Sequence, residues 1–265
     1  MDLQLRGKRA LVTGGSRGLG KAIARELAME GVDCVICART EGPLKEAAEE
    51  LAKESGRGVV PIVADTSNLE SIERLVSGAV EALGGIDILI NNAARVAGSD
   101  PEDFWHVKDE LILRDFQEKL LGYFRCARAV APMMRDNGWG RILNLSGYAA
   151  RSAGSIPAGA RNASTVHMTK TLSMELGRYG INVNAIYPAT TVTETFANRF
   201  GERARSEGKS VEEVMADMGK SNHIGRLVTA EEIADVVTFL CSPHAVGITG
   251  EVIPVTGGQG NSVYF

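Results

Sequence analysis

The sequence predicts an α/β fold, a doubly wound parallel sheet of about seven strands with helices on both faces. Short apolar runs alternate with amphipathic stretches along its 265 residues. This alternation is typical of a parallel sheet whose crossover connections are helices. A glycine-rich loop also follows the first apolar run, and ligands of such sheets bind where the strands end.

The predicted strands are short apolar runs with buried-strand composition. They are Arg9–Thr13, Asp33–Ala38, Val59–Ala64, Asp87–Asn91, Arg141–Ser146, Asn182–Tyr187 and Glu251–Val255. The stretches predicted as helices are Leu19–Glu30, Pro43–Glu54, Leu69–Leu83, Phe116–Arg135 and Ala158–Tyr179.

The most informative stretch is residues 8–20, KRALVTGGSRGLG. Its glycines let the backbone turn tightly and approach a phosphate, and the helix that follows directs its N-terminal amides and dipole at that anion. The spacing TGxxxGxG between a strand and a helix therefore predicts a dinucleotide-phosphate cradle. The alternative is an ordinary strand-to-helix turn.

No linker or repeat divides the chain, so we expect residues 1–265 to form a single dinucleotide-binding domain. Residues 190–228 are polar, charged and weakly periodic. An insertion after the sixth strand suits a mobile lid over a substrate, although a plain surface helix pair fits equally well.

The composition and the net charge indicate which kinds of binding partner the protein does not have. Apolar residues make up 44% of the chain and the formal net charge is −4. Because the chain has no basic block, we expect no nucleic-acid or anionic-membrane partner. No apolar run resembles a signal peptide or a membrane span, so we expect a cytoplasmic protein.

Cysteine and histidine positions argue against a metal site. Cys34 and Cys37 form a CxxC within a predicted strand, where side chains three apart point to opposite faces. We interpret them as small buried hydrophobic residues. The four histidines have no ligand spacing.

Several motifs in order resemble the short-chain dehydrogenase/reductase family over nearly the whole chain. TGGSRGLG is similar to the family's TGxxxGxG, Asp65 follows the third strand, and Asn91–Ala94 resembles NNAG. Pro188-Ala189 stands where the family has PG, Thr193 matches its nicotinamide-site threonine, and GEVIPVTGG resembles its closing strand.

The resemblance implies a Rossmann-type fold and a nicotinamide dinucleotide. The positions that it assigns to cofactor binding are Thr13, Gly14, Ser16, Arg17, Gly18, Leu19, Gly20, Arg39, Asp65, Thr66, Asn91, Ala93, Pro188 and Thr193.

The end of the second strand favours NADP(H) over NAD(H). Family members that prefer NAD carry an acid where this chain has Ala38, and Arg39 follows directly. Arg17 adds a second positive charge in the glycine loop. Guanidinium groups pair well with phosphate, as the 2′-phosphate of NADP requires. The alternative is that both arginines are solvent-exposed charges that bind no ligand.

The family's catalytic YxxxK motif is absent, since no tyrosine lies between Tyr148 and Tyr179. The resemblance places Ala158 at the tyrosine position and Asn162 at the lysine position. It places Gly147 at the catalytic serine, directly after Ser146.

A lysine, Lys119, stands where the family's NLxG motif has asparagine. In the family fold this position approaches that of Asn162 across adjacent helices. We hypothesise that the lysine and the asparagine have exchanged positions, so that Lys119 supplies the ammonium group that Asn162 lacks. The alternative is that Lys119 extends to solvent and is unrelated to Asn162.

Several residues are candidates for the missing proton donor. Tyr148 and Tyr187 lie at or after strand ends, and Arg161 is placed to hold an anionic group. Ser146 remains available to bond a substrate oxygen. The predicted catalytic residues are Ser146, Tyr148, Asn162 and Lys119.

These features predict an NADP(H)-dependent oxidoreductase acting on a small carbonyl, alcohol or activated alkene with an atypical acid/base. A non-redox dehydratase, isomerase or lyase and an inactive dinucleotide-binding protein stay open, because fold alone does not choose. The resemblance also implies a homodimer or homotetramer, formed through the helices at Phe116–Arg135 and Ala158–Tyr179.

Overall fold

The computed structural model describes residues 1–94 and 104–261. Seven parallel strands form one sheet. They are β1 (Arg9–Thr13), β2 (Asp33–Ala38), β3 (Val59–Val63), β4 (Ile88–Asn91), β5 (Gly140–Leu145), β6 (Ile181–Pro188) and β9 (Val252–Val255). Their order across the sheet is β3-β2-β1-β4-β5-β6-β9, which confirms the predicted fold class.

Several strand ends differ from the predicted ones by one residue. Asp87, for example, lies just outside β4. Its carboxylate accepts hydrogen bonds from the backbone N–H and the side chain of Arg9, which anchors the start of the strand to β1. Hydrophobicity alone does not locate such ends, because a ladder stops where its backbone partners stop.

Helices cover both faces of the sheet. They are α1 (Gly18–Met29), α2 (Glu41–Ser55), α3 (Leu69–Leu83), α4 (Asp109–Asp115), α5 (Gly122–Asp136), α6 (Ile156–Leu176), α7 (Phe196–Glu207), α8 (Val211–Gly219) and α9 (Ala230–Cys241). A π-helical turn over Phe116–Leu121 joins α4 to α5. Such turns redirect side chains and are frequent at functional sites.

The two cysteines of β2 show the two-sided core. Cys34 packs in the cluster of α1, α2 and α9, whereas Cys37 packs on the other face with residues of α3 and α5. The predicted opposite orientation is therefore confirmed. Burial raises the pKa of each thiol to about 12, so both behave as apolar side chains at neutral pH.

The segment 190–228 contains α7 and α8. Two short parallel strands at its ends, β7 (Thr191–Val192) and β8 (Val228–Thr229), pair with each other in a separate sheet. The segment follows β6 directly, so it rises from the edge of the sheet where the strands end. Its role as a lid stays a prediction. Among the helices of residues 1–94 and 104–261, none is long and apolar enough to cross a membrane.

Candidate active site

A cleft of about 920 Å³ lies at the carboxyl ends of the strands. It runs from the glycine loop after β1 to the first half of α6, and so includes the switch point between β1 and β4. This is the place where doubly wound sheets bind ligands. The predicted site residues that line it are Gly14, Ser16, Arg17, Gly18, Leu19, Arg39, Asp65, Thr66, Ala93, Pro188, Thr193, Lys119, Ser146 and Asn162.

Three of the predicted cofactor-binding residues do not line the cleft. They lie beneath it and hold the surrounding backbone in place. The Thr13 hydroxyl donates to Ile90 O and accepts from the backbone N–H groups of Asn92 and Ala93, which ties β1 to β4. Asn91 donates from Nδ2 to Asn144 Oδ1 at 2.9 Å. At Gly20 a side chain would collide with the backbone of the glycine loop. Sequence motifs do not separate such supporting residues from contacting ones.

The glycine loop is built to receive an anion. The backbone N–H of Gly18, the first residue of α1, donates to Glu194 Oε1 at 2.6 Å. At Gly14, with φ of +70°, a Cβ would lie 2.8 Å from Asn92 Nδ2. A carboxylate therefore occupies the helix N-terminus, where the dipole favours a phosphate. The loop fits the pyrophosphate of a dinucleotide, and sequence reasoning missed Glu194.

The adenosine end of the cleft carries uncompensated positive charge. Arg17 and Arg39 are exposed, line the cleft and make no ion pair within the part of the chain that the structure describes. Ala38, next to Arg39, also lines the cleft and has no acidic side chain that would repel a phosphate. Asp65 Oδ1 accepts from the backbone N–H and the hydroxyl of Ser67, which fixes the carboxylate at the wall. Two free guanidinium groups fit a 2′-phosphate.

At the other end of the cleft a buried lysine meets an asparagine. Lys119, in the π-helical turn, is 4% exposed. Its Nζ donates to Ser146 O and to Asn162 Oδ1, each at 2.7 Å. The side chain does not extend to solvent, and the expected approach of the two residues is present. Whether this pair performs the swapped role stays a proposal.

The surroundings of Lys119 disfavour its charged form. Burial lowers the pKa of Lys119 well below its ordinary value, and the nearby charge of Arg161 acts in the same direction. The carboxylate of Asp115 opposes this effect. The phenol of Tyr123 donates to Leu145 O at 3.2 Å, and its ring centroid lies 5.8 Å from Lys119 Nζ.

Arg161, which the sequence suggested as a binding residue for an anionic group, already forms an ion pair within the protein. Its Nη1 donates to Asp115 Oδ2 at 2.8 Å in an ion pair whose two side chains are 6% and 7% exposed. Sequence reasoning missed Asp115. The available signal was its place four residues before Lys119, which puts two opposite charges near one face of a helix.

Ser146 and Gly147 close the site between β5 and α6. The Ser146 hydroxyl donates to Asn162 O at 3.1 Å, so it holds α6 against the end of the strand. An ideal Cβ at Gly147 would lie 2.8 Å from Asn162 Nδ2. No side chain fits at Gly147 unless the Asn162 amide moves.

Tyr148 is not brought to the cleft lining. Its hydroxyl packs against the backbone of Gly260, and its ring centroid lies 6.2 Å from that of Tyr187. Tyr187 is fully buried in β6 and stacks under Arg151. Tyr148, after β5, and Tyr187, within β6, therefore both lie outside the cleft lining, which the sequence pattern did not reveal.

No group of three or more possible metal-ligating side chains occurs among the residues that the structure describes. The four cysteines are buried and unpaired with each other.

Comparison with known proteins agrees with this architecture. The family described as enoyl-(acyl carrier protein) reductase matches residues 14–259. The short-chain reductase protein NovJ of Streptomyces niveus is 34% identical over 258 residues, covering 94% of this chain and 93% of that protein.

Solved structures agree as well. The L-sorbose reductase of Gluconobacter frateurii, in complex with NADPH and L-sorbose, has a TM-score of 0.93 at 28% identity, covering 99% of this chain and 100% of that one. An actinorhodin polyketide ketoreductase with NADPH has a TM-score of 0.85 at 35% identity, covering 96% and 98%. The cradle, the sheet order and these matches together place the chain in the short-chain dehydrogenase/reductase family.

Proposed function

We propose that the protein is an NADPH-dependent reductase of a small carbonyl compound. The observation that carries this proposal is one cleft that joins a phosphate cradle with two free arginines to a buried Lys119–Asn162 pair. Similarity to reductases, two of them solved with NADPH, supports oxidoreduction over the non-redox and binding-only alternatives.

The residues of the cradle end would hold the cofactor. The backbone amides of the glycine loop at 14–18 would bind the pyrophosphate, and Arg17 and Arg39 would pair with the 2′-phosphate. Asp65 would accept a hydrogen bond from the adenine. When bound, NADPH supplies the hydride for reduction.

Lys119 donates the proton that carbonyl reduction requires. An ammonium has three N–H groups, and two of them are held by Ser146 O and Asn162 Oδ1. The third remains for a substrate oxygen in the cleft that Lys119 lines. Because the pKa of Lys119 is lowered by burial, the group releases its proton more readily near neutral pH than an ordinary lysine.

Residues around this pair hold it in place. Ser146 fixes α6 through its hydroxyl and the lysine through its carbonyl. The Asp115–Arg161 ion pair packs the other side. Tyr148 takes no part as a donor, because its hydroxyl faces Gly260.

The segment 190–228 covers the cleft once ligands are bound. Thr193 and Thr195 already line the cleft, and Glu194 occupies the anion site of the glycine loop. Closure of such a segment excludes water from the reaction.

We also propose a cytoplasmic homodimer or homotetramer. Leu113 on α4, Phe124 on α5 and Met174 on α6 are apolar and exposed by 68%, 37% and 77%. An apolar surface shared by these helices suits burial against a second copy. Light scattering of the purified protein tests the assembly.

The function is tested with purified protein, NADPH and a panel of small ketones, keto esters and activated alkenes. The expected result is loss of reduced-nicotinamide absorbance with at least one carbonyl, faster with NADPH than with NADH. Tight NADPH binding without turnover on any compound would overturn the proposal, as would product formation without NADPH oxidation.

A further inference from the structure

The Asn162 amide has a fixed orientation. Its Oδ1 lies 2.7 Å from Lys119 Nζ, and an ammonium only donates hydrogen bonds. With Lys119 protonated, as the proposed proton donor is, the oxygen of the amide faces the lysine and the nitrogen faces away from it.

The Nδ2 of Asn162 has no acceptor within the part of the chain that the structure describes. The residue is 5% exposed and lines the cleft. The nitrogen itself is open to the cleft and not sealed from solvent, so a ligand or a water there completes it. The amide thus offers an N–H donor to the contents of the cleft.

Gly147 leaves room for this donor. Its φ of 168° and ψ of 156° are extended backbone that any residue adopts. The backbone therefore does not require glycine. A Cβ, however, would lie 2.8 Å from Asn162 Nδ2, closer than real side chains approach. The Asn162 amide can therefore keep its position because residue 147 has no side chain.

We propose that Asn162 is a catalytic residue whose Nδ2 donates a hydrogen bond to the carbonyl oxygen of the substrate, and that Gly147 keeps the space for it. This assignment rests on the proposed carbonyl reduction. Lys119 Nζ is bonded to the oxygen of the amide that carries Nδ2, and both residues line the cleft, so the two donors lie at the same end of it. Donors aimed at developing negative charge on oxygen stabilise it most strongly in the transition state.

The first variant is Asn162→Asp, which keeps the size and the oxygen facing Lys119, removes the N–H and adds a carboxylate charge beside the lysine. We expect kcat to fall about 10²–10³-fold, the usual loss for one such donor. The dissociation constant of NADPH is expected to stay within about threefold, because the cradle is not touched.

Gly147→Ala is a second variant that leaves Lys119 and Asn162 chemically intact. The added methyl displaces the amide, so kcat is expected to fall about tenfold or more with NADPH affinity retained. Gly154→Ala is the matched control, since Gly154 is exposed and a Cβ there meets nothing within 4 Å. Its kcat and melting temperature are expected to equal those of the wild type.

The outcomes separate the two claims. Wild-type turnover that survives in both Asn162→Asp and Gly147→Ala overturns the oxygen-binding role and leaves the proposed function standing. An NADPH-binding wild type that reduces no carbonyl overturns the proposed function and this role with it. If Gly147→Ala does not fold, Asn162→Asp decides alone, with NADPH binding as its check on folding.

Discussion

Replacing Lys119 by methionine is expected to abolish reduction and at the same time to stabilise the fold at neutral pH. Methionine has a similar length and no charge. In the folded protein, burial lowers the pKa of the Lys119 amine, whereas in the unfolded chain it is near 10.4. Each unit of that difference amounts to about 1.4 kcal/mol of instability at pH values below both pKa values.

The expected size of the effect follows from two opposing contributions. Exchanging buried ionic side chains for apolar ones of similar volume is often stabilising, by about 1–4 kcal/mol. Against this, Ser146 O and Asn162 Oδ1 each lose a donor, at about 1 kcal/mol apiece. With the middle of that range, about 2.5 kcal/mol, the net gain is about 0.5 kcal/mol, or about 1–2 °C in melting temperature for a chain of this length.

The gain depends on pH in a fixed direction. Between the folded-state and unfolded-state pKa values of Lys119 the unfolded chain binds more protons, so wild-type stability rises with pH. The rise approaches about 1.4 kcal/mol per pH unit, and Lys119→Met lacks it. Tyr123 does not titrate in this window, because burial raises its pKa above the ordinary range. The advantage of the variant must therefore shrink on going from neutral to alkaline pH.

Thermal and urea unfolding of both proteins across this pH range measures the effect. Lys53→Met, at an exposed position of α2, is the matched control and is expected to change stability by less than about 0.5 kcal/mol. A Lys119→Met protein that is less stable at neutral pH, by an amount independent of pH, would show that burial of the Lys119 amine does not destabilise the fold. Lys119 would then be a stabilising, solvated cation.

Three further predictions concern the rest of the cleft. Arg39→Leu is expected to weaken NADPH binding about tenfold and to leave NADH binding unchanged, since only the 2′-phosphate is lost as a partner; equal effects in a fluorescence titration would contradict this. Glu194→Gln is expected to tighten NADPH about two- to fivefold, because a carboxylate no longer competes for Gly18 N–H; weaker binding by calorimetry would show that Glu194 helps the cofactor instead. Tyr148→Phe is expected to keep kcat within about twofold, and a large loss in steady-state assays would restore the phenol as proton donor.

The sequence was sufficient for features that depend on local pattern. Glycine spacing located the phosphate cradle, and the two-residue period of β2 placed Cys34 and Cys37 on opposite faces. The departure from the family pattern at Lys119 and Asn162 was also visible, because each stands at a known motif position. Their meeting in the structure follows from that alignment.

Contacts between segments far apart in the chain could not be predicted from the sequence. Asp115 pairs with Arg161 across 46 residues, and Glu194 reaches Gly18 across 176. The direction of the Tyr148 hydroxyl depends on packing by Gly260, far along the chain. Pattern fixes which face of an element a side chain occupies, whereas the partner it meets depends on how the elements pack.

Proton donation by Lys119 in an NADPH-dependent reduction can be measured through the pH dependence of single-turnover NADPH oxidation. Wild type, Tyr148→Phe and Lys119→Met are compared with one carbonyl substrate. We expect the wild-type rate to fall as pH rises through a pKa well below that of ordinary lysine. This fall should persist in Tyr148→Phe, and Lys119→Met should be slow at every pH. A fall that persists in Lys119→Met and disappears in Tyr148→Phe would show that Tyr148, and not Lys119, supplies the proton.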